Sequence, residues 1–247
     1  MRVILTLLAL SLALPGCGPK AGSGGARKPR IYPCRKVKGT IKLDGKIDEL
    51  AWKLAYYETR FAVPRSGAKP RAGMAVRLLW DDEFLYIAAV LEDDDVYAML
   101  KEHDSETWLD DVCELFLKPH EKRSFYYEVH VTPLGTTTDL RIGARGAGAM
   151  HRWAMWESGV KAGVLIEGSL NDWSDTDKGW MFEAAIPLKA FAPLSPKPQL
   201  GDRWRFAVCR YNYSVHLPGG QELTSSAALA KPDFHRHEEY DILEFTD

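Results

Sequence analysis

Apolar and polar side chains alternate along much of this chain. Phe125, Tyr127, Val129 and Val131 alternate with Tyr126, Glu128 and His130. Trp180, Phe182, Ala184 and Ile186 alternate with Met181, Glu183 and Ala185, and Trp204, Phe206 and Val208 with Arg203, Arg205, Ala207 and Cys209. Period two places successive side chains on opposite faces of an extended strand, so each segment predicts a half-buried strand. Further strands are expected near 39–43, 74–80, 84–91, 111–118, 136–142, 160–170 and 240–245. Pro133-Leu134-Gly135 and Asp81-Asp82-Glu83 have the composition of hairpin turns. Helix is sparse. Asp48 is placed to N-cap a short helix over Glu49 to Leu54 with Trp52 facing inward, and Leu188 to Phe191 fits one turn after Pro187. Many short strands broken by turn signals predict an all-β antiparallel sandwich of two sheets with one or two short helices.

The same alternation raises candidate chemistry. The polar positions hold Glu114, Glu128, His130, Asp139, Arg141, Glu183, Arg203 and Arg205, together with Tyr126, Tyr211 and Tyr213. This mixture suits either a sheet face that binds a polar neutral ligand or a set of cross-strand ion pairs. Residues 1–43 carry nine Lys/Arg and no acid, so the rest of the chain carries −11 against an overall −2. An acidic folded part argues against a nucleic-acid partner, whose phosphates need a basic surface.

The chain begins with a leader pattern. Arg2 precedes an apolar run from Val3 to Leu14, then Leu14-Pro15-Gly16-Cys17. The run is too short to cross a hydrocarbon core of roughly 30 Å and reads as a secretory signal. Its end resembles a bacterial lipobox, which implies lipidation of Cys17. The expected organisation is a signal peptide over 1–16, a lipidated cysteine and Gly/Ser/Lys-rich tether over 17–30, and one domain over 31–247. Gly18 after Cys17 does not match the inner-membrane retention signal of enteric bacteria, so an outer-membrane location in the cell envelope is expected. Three cysteines then remain outside the cytoplasm, Cys34, Cys113 and Cys209. An odd number allows at most one disulfide, and the expectation leans to none.

Several segments, in order, resemble family 9 carbohydrate-binding modules and the wider DOMON-like sandwich group. They are Ile41-Lys42-Leu43-Asp44-Gly45 through Asp48-Glu49 and Trp52, and Leu79-Trp80-Asp81 through Ile87. Trp108-Leu109-Asp110-Asp111-Val112-Cys113-Glu114-Leu115-Phe116-Leu117 follows. Next come Asp175-Thr176-Asp177-Lys178-Gly179-Trp180 through Glu183 and Ile186-Pro187, then Gly201 to Arg205 and Phe234-His235. The resemblance implies a jelly-roll-like sandwich without catalytic apparatus, in which aromatic rings clamp a terminal sugar. It assigns carbohydrate binding to Trp108 (a ring under the sugar), Glu114 (an acceptor for hydroxyls), Arg141 (a donor from the next hairpin) and Asp139 on the same strand face. The family's second aromatic has no counterpart in Ser225 to Ala230, so either Trp153, Trp156, Tyr213 or Phe234 replaces it or the sandwich no longer binds sugar in the family's way.

Other chemistries set alternatives. Asp93-Asp94-Asp95, then Asp104, Glu106, Asp110 and Asp111, and then Asp172, Asp175 and Asp177 offer oxygen ligands for a structural calcium, though Asp is also a turn residue. Glycoside hydrolysis needs a carboxylate pair that Glu114, Glu128 or Glu183 would have to supply. His235 and His237 alternate near the C-terminus as a metal pair. Met150, His151 and Met155 raise a haem-binding DOMON-like carrier, and an envelope protein-interaction scaffold is the third reading. The leading expectation is a lipid-anchored, non-catalytic carbohydrate-binding protein whose partners are a glycan and, through its lipid, a membrane.

Overall fold

The computed structural model describes residues 28–146 and 156–247. The expected signal peptide and Cys17, most of the expected tether, and Met150, His151, Trp153 and Met155 lie outside the described residues.

The described chain is all-β. In order it forms β1 (Ile31–Lys36), the short helix α1 (Leu50–Leu54), β2 (Met74–Trp80), β3 (Phe84–Glu92), β4 (Val112–Lys118) and β5 (Tyr126–Val131). There follow β6 (Thr137–Ile142), β7 (Lys161–Glu167), β8 (Gly179–Pro187), β9 (Arg203–Tyr213), β10 (Gln221–Ser225) and β11 (Asp241–Thr246). Single 3-10 turns occur at Thr107–Leu109, Leu188–Phe191 and His237–Glu239.

The strands make one continuous hydrogen-bonded path, β6-β5-β4-β9-β11-β1-β2-β3-β8-β7, with β10 paired to β9 beyond the end of β11. The sheet is mixed. β1 runs parallel to both β11 and β2, which corrects the expected all-antiparallel pairing. The path curls over itself, because one core gathers side chains from both of its halves. Leu115, Tyr127, Val129 and Val208 meet Val76, Leu85, Ile87 and Phe182 in that core. The alternating residues Trp180, Phe182, Ala184 and Ile186 all point into it, as do Trp204, Phe206 and Val208. Trp156 is buried there against Tyr127 and Phe191, with centroids 4.5 and 5.3 Å away. It is therefore a core ring and not a substitute sugar clamp.

Two outer faces are covered as well. Phe116, Tyr126, Leu140, Ile142, Ala207 and Cys209 lie under Ala227, Leu229, Phe234 and Tyr240 of the C-terminal segment. On the other half, α1 lays Ala51 and Trp52 over Leu79 and Ala88. Cys34, Cys113 and Cys209 are free buried thiols. Cys34 and Cys113 sit in the main core and Cys209 beneath the C-terminal segment, so the sheet itself separates Cys209 from the other two.

Segment 39–43 is not a strand. It crosses the edge strand β7 so closely that a Cβ on Gly163 would overlap the Leu43 carbonyl, and one on Gly45 (φ +81°) would overlap the backbone of Val164. The crossing is pinned from beneath by Glu183. Its Oε2 accepts the Asp44 and Gly45 N–H groups at 3.3 and 3.2 Å, and its Oε1 accepts Trp52 Nε1–H at 2.7 Å. The opening motif, Trp52 and the Gly-Trp-x-x-Glu motif are thus parts of one structural clip. α1 starts at Leu50 with Glu49, not Asp48, at the cap position. We predict that Trp52→Phe, which removes the indole N–H facing a buried carboxylate, lowers stability by about 2 kcal/mol in urea denaturation. An unchanged midpoint would show that the clip is idle.

Candidate functional site

A cavity of about 220 Å³ opens on the face of β4 and β5 turned away from the main core. It is lined by Trp108, Glu114, Phe116, Glu128, His130, Tyr211, Phe234 and His235. Strand register explains the set. Glu114 pairs with His130, Phe116 with Glu128, and Cys209 with Glu114, which places Glu114, Phe116, Glu128 and His130 on one face. Phe234 and His235 come in from the C-terminal segment. Phe234 packs edge-on to Phe116 and Tyr211, with centroids 6.2 and 5.2 Å away.

Trp108 sits half-buried in the 3-10 turn Thr107–Leu109. The Asp-Asp motif holds that turn. Asp110 Oδ2 accepts the Met99 and Leu100 N–H groups at 3.0 and 2.9 Å. Asp111 accepts the N–H groups of Tyr97 and Tyr213, each at 2.7 Å. Tyr213 donates its hydroxyl to the Trp108 carbonyl at 2.7 Å, so it positions Trp108 and does not line the cavity. The Trp108 ring stands edge-on to His130 at 6.4 Å.

The floor is unusually rich in titratable groups for a buried surface. His130 Nε2 lies 3.6 Å from Glu114 Oε1 and 3.5 Å from Glu128 Oε2, and it makes no hydrogen bond among the described residues. Its Nδ1 is 3.0 Å from Thr107 Oγ1. Glu128 Oε1 is 2.9 Å from His235 Nδ1, on which the Tyr126 hydroxyl also converges at 2.9 Å. Burial pushes the Glu114 carboxyl up to about 7, against the partial relief that His130 gives. Burial also works against ionised Glu128, but the adjacent imidazoles of His130 and His235 outweigh it and hold that carboxyl below the usual range. The imidazoles of His130 and His235 are raised: burial opposes their charge, and the two glutamates more than offset it. The cavity therefore presents an aromatic wall beside a carboxylate and imidazole floor that can accept and donate hydrogen bonds.

Asp139 and Arg141 do not belong to this face. Asp139 pairs with Val129 and Arg141 with Tyr127, two core-facing residues, so both point to the opposite side of β6. Asp139 is fully buried there, with its Oδ2 accepting the Ser158 N–H at 2.6 Å, and Arg141 is exposed at the sheet edge. This corrects the expectation that Trp108, Glu114, Asp139 and Arg141 converge. Glu183 is buried under α1, and Arg203 and Arg205 form rim pairs with Glu244 and Glu121. The acidic clusters mostly cap backbone N–H groups: Asp177 accepts those of Val96 and Ser169, and Asp95 that of Val215. Phe116, part of the Trp108 to Leu117 motif but not an expected site residue, shares the face of Glu114 by simple alternation.

The raised groups set a pH slope. Glu183, like Glu114, is pushed up to about 7 by burial. Between the unfolded carboxyl value near 4.5 and about 7, the folded state holds protons that the unfolded state has released, so stability falls as pH rises. His130 and His235 act in the same direction: their contribution is complete below about 6.5 and is lost as pH climbs through their raised folded values. Glu128 acts oppositely, but at lower pH, where its contribution fades on acidification through its lowered folded value. The expected result is a higher melting temperature at pH 5.5 than at pH 8, with a shallower slope in Glu183→Gln. A melting temperature that rises over this range would contradict the assignment.

The fold and the cavity define a β-sheet domain that carries a small polar and aromatic pocket. A family model described as "Carbohydrate family 9 binding domain-like" matches residues 43–212. The chain belongs to this family. Endo-1,4-beta-xylanase A of Thermotoga maritima is 28% identical over 165 residues, which cover 66% of this chain and 13% of that protein. The corresponding enzyme of Thermotoga neapolitana is 30% identical over 163 residues, again 66% and 13%. The chain thus spans about an eighth of the length of these relatives. Among solved structures, a putative carbohydrate-binding protein from Bacteroides uniformis has a TM-score of 0.71 at 17% identity, covering 88% of this chain and 100% of that one. A family 9 module from Caldicellulosiruptor kristjanssonii in complex with cellotriose has a TM-score of 0.57 at 17% identity, covering 88% and 94%. A glucose complex of a module from the same organism gives 0.55 at 16% identity, covering 87% and 96%.

Proposed function

We propose that this chain binds the terminal unit of a glycan in the Trp108 cavity and does so at the cell envelope, held by a lipid on Cys17. The observation that carries the site is the meeting of Trp108, Glu114 and the unspent His130 Nε2 on one concavity. An aromatic face suits the axial C–H patch of a pyranose, while carboxylates and imidazoles suit its hydroxyls. At about 220 Å³ the cavity falls below the roughly 300–1,000 Å³ of drug-sized pockets, which favours one sugar ring over an oligosaccharide. In this reading the curled sheet serves as a two-layer, jelly-roll-like sandwich with the site on its outer face. The neighbours' complexes with glucose and cellotriose make glucose-ended chains the first ligands to try.

Titration calorimetry against glucose, cello-oligosaccharides, xylo-oligosaccharides and chains with a blocked terminal unit tests the reading. We expect one-to-one binding, similar for short and long chains of one series, and weakened by blocking the terminal unit. Binding that grows steadily with chain length would replace end recognition with binding along the chain, and failure on every glycan would remove the proposal. For the anchor, Cys17→Ser in the full chain is expected to abolish acyl labelling and release the protein from the membrane fraction. The basic stretch through Lys42 would then hold it only weakly and in a salt-sensitive way.

A further inference from the structure

On the opposite face of β6, a second cluster lies apart from the sugar cavity. His103 Nε2 is 3.5 Å from Asp104 Oδ1, 3.6 Å from Asp139 Oδ1 and 3.4 Å from Glu157 Oε2. These four atoms all lie within 4.8 Å of one another. Two features set the cluster apart from solvated surface charge. Asp139 is fully buried, its Oδ2 is held by the Ser158 N–H, and its Oδ1 points into the cluster with no hydrogen-bond partner among the described residues. His103 Nδ1 lies 2.8 Å from the Thr137 carbonyl, which can only accept, so this nitrogen carries a proton and Nε2 is the atom turned toward the three carboxylates. A backbone carbonyl behind the imidazole is the usual partner that orients a metal-ligating histidine.

We propose that His103, Asp104, Asp139 and Glu157 form a binding site for a small divalent transition cation of the zinc class. The spacing argues for that class. Ligands at about 2.0–2.2 Å from a tetrahedral ion stand about 3.3–3.6 Å apart, which is the range separating His103 Nε2 from the three oxygens. Calcium prefers six to eight oxygens and gains little from an imidazole. The metal would join three separate pieces of chain: the loop that leads into the Trp108 turn, the edge strand β6 and the segment at Glu157. Thr138 already ties this strand to the loop, donating to the Ser105 carbonyl at 2.8 Å and accepting from Thr107 Oγ1 at 3.0 Å. The cation would brace the loop from its far side and so steady Trp108.

The test uses untagged protein stripped with a chelator. Zinc is titrated by calorimetry with metal content counted, and cobalt is followed by its visible absorption. We expect one zinc per chain, intense visible bands of a tetrahedral cobalt site, and a melting temperature raised by zinc. His103→Ala and Glu157→Gln alter exposed side chains and should fold normally. Each is expected to weaken zinc binding at least tenfold, and Asp139→Asn to do the same where the circular dichroism spectrum is unchanged. Absence of stoichiometric uptake, uptake of calcium alone, or unaltered zinc affinity in His103→Ala would overturn the proposal. The last result would leave the cluster as an imidazolium paired with carboxylates.

Discussion

Arg210→Ala is expected to destabilise the protein by about 3–5 kcal/mol, a fall in melting temperature of roughly 6–20 °C for a domain of this size. Arg210 and Asp93 are each only 1% exposed at the side chain and meet at 2.7 Å. The same guanidinium donates to the Glu92 carbonyl at 2.7 Å and to Asn212 Oδ1. Burial raises the Asp93 carboxyl even with Arg210 beside it, and burial plus Asp93 push Asp111 well up. Removing the cation leaves both carboxylates buried with less compensation. Asp111 also holds the N–H groups of Tyr97 and Tyr213, so the loss should spread to the Trp108 turn. Arg210→Lys keeps the charge but not the planar fork and should recover only part of the stability. The double variant Arg210→Leu with Asp93→Leu should recover more than either single change, because it leaves neither charge of the pair alone. A loss below 1 kcal/mol for Arg210→Ala in urea denaturation would show that the pair is not structural.

The strands that alternate strongly were legible because each had one face in a single large core. Trp180 to Ile186 and Trp204 to Val208 are plain cases. β1 and β10 were not legible. β1 contains Pro33, which weakens a strand reading, yet it pairs parallel to β11 and β2 with Tyr32 and Cys34 turned inward. β10 is five residues with one large apolar side chain, and its partner β9 is what extends it. Segment 39–43 failed for the converse reason. Ile41 packs beside Trp52 while its neighbours' backbone groups go to the Glu49 and Glu183 side chains and not to a ladder. For the site, Trp108 and Glu114 were legible through motif and alternation together. Alternation marked Asp139 and Arg141 as polar positions, but their place beside Trp108 and Glu114 came from the resemblance, although a register signal was present. A turn centred on Leu134 pairs odd-numbered residues with odd, which places Asp139 and Arg141 behind Val129 and Tyr127 and away from Glu128 and His130. Of the four replacement rings that the sequence offered, Phe234 is the one that lines the cavity with Trp108, and pattern could not single it out because it reaches the site from a segment without regular structure.

Trp108→Ala should weaken glycan binding by about thirtyfold or more, the cost of some 2 kcal/mol typical of a tryptophan anchor. The ring is half-exposed in a turn held by other residues, so the variant should keep its melting temperature within a few degrees. Glu114→Gln tests the floor. A carboxylate accepts a sugar hydroxyl more strongly than an amide does, and the difference of about 1–2 kcal/mol predicts a loss of roughly five- to thirtyfold. Because the Glu114 carboxyl is pushed up to about 7, the accepting form is depleted below neutrality. Affinity should therefore fall as pH drops from 8 to 6, and Glu114→Gln should flatten that dependence. If affinity instead rises on acidification, the protonated carboxyl or the imidazolium of His130 is the group that the sugar meets, as donor. Arg141→Ala separates the geometry from the family motif. Arg141 is exposed on the far face of β6, so its removal should leave affinity unchanged. A tenfold loss in Arg141→Ala, with Trp108→Ala unaffected, would move the sugar site to the opposite side of the sheet.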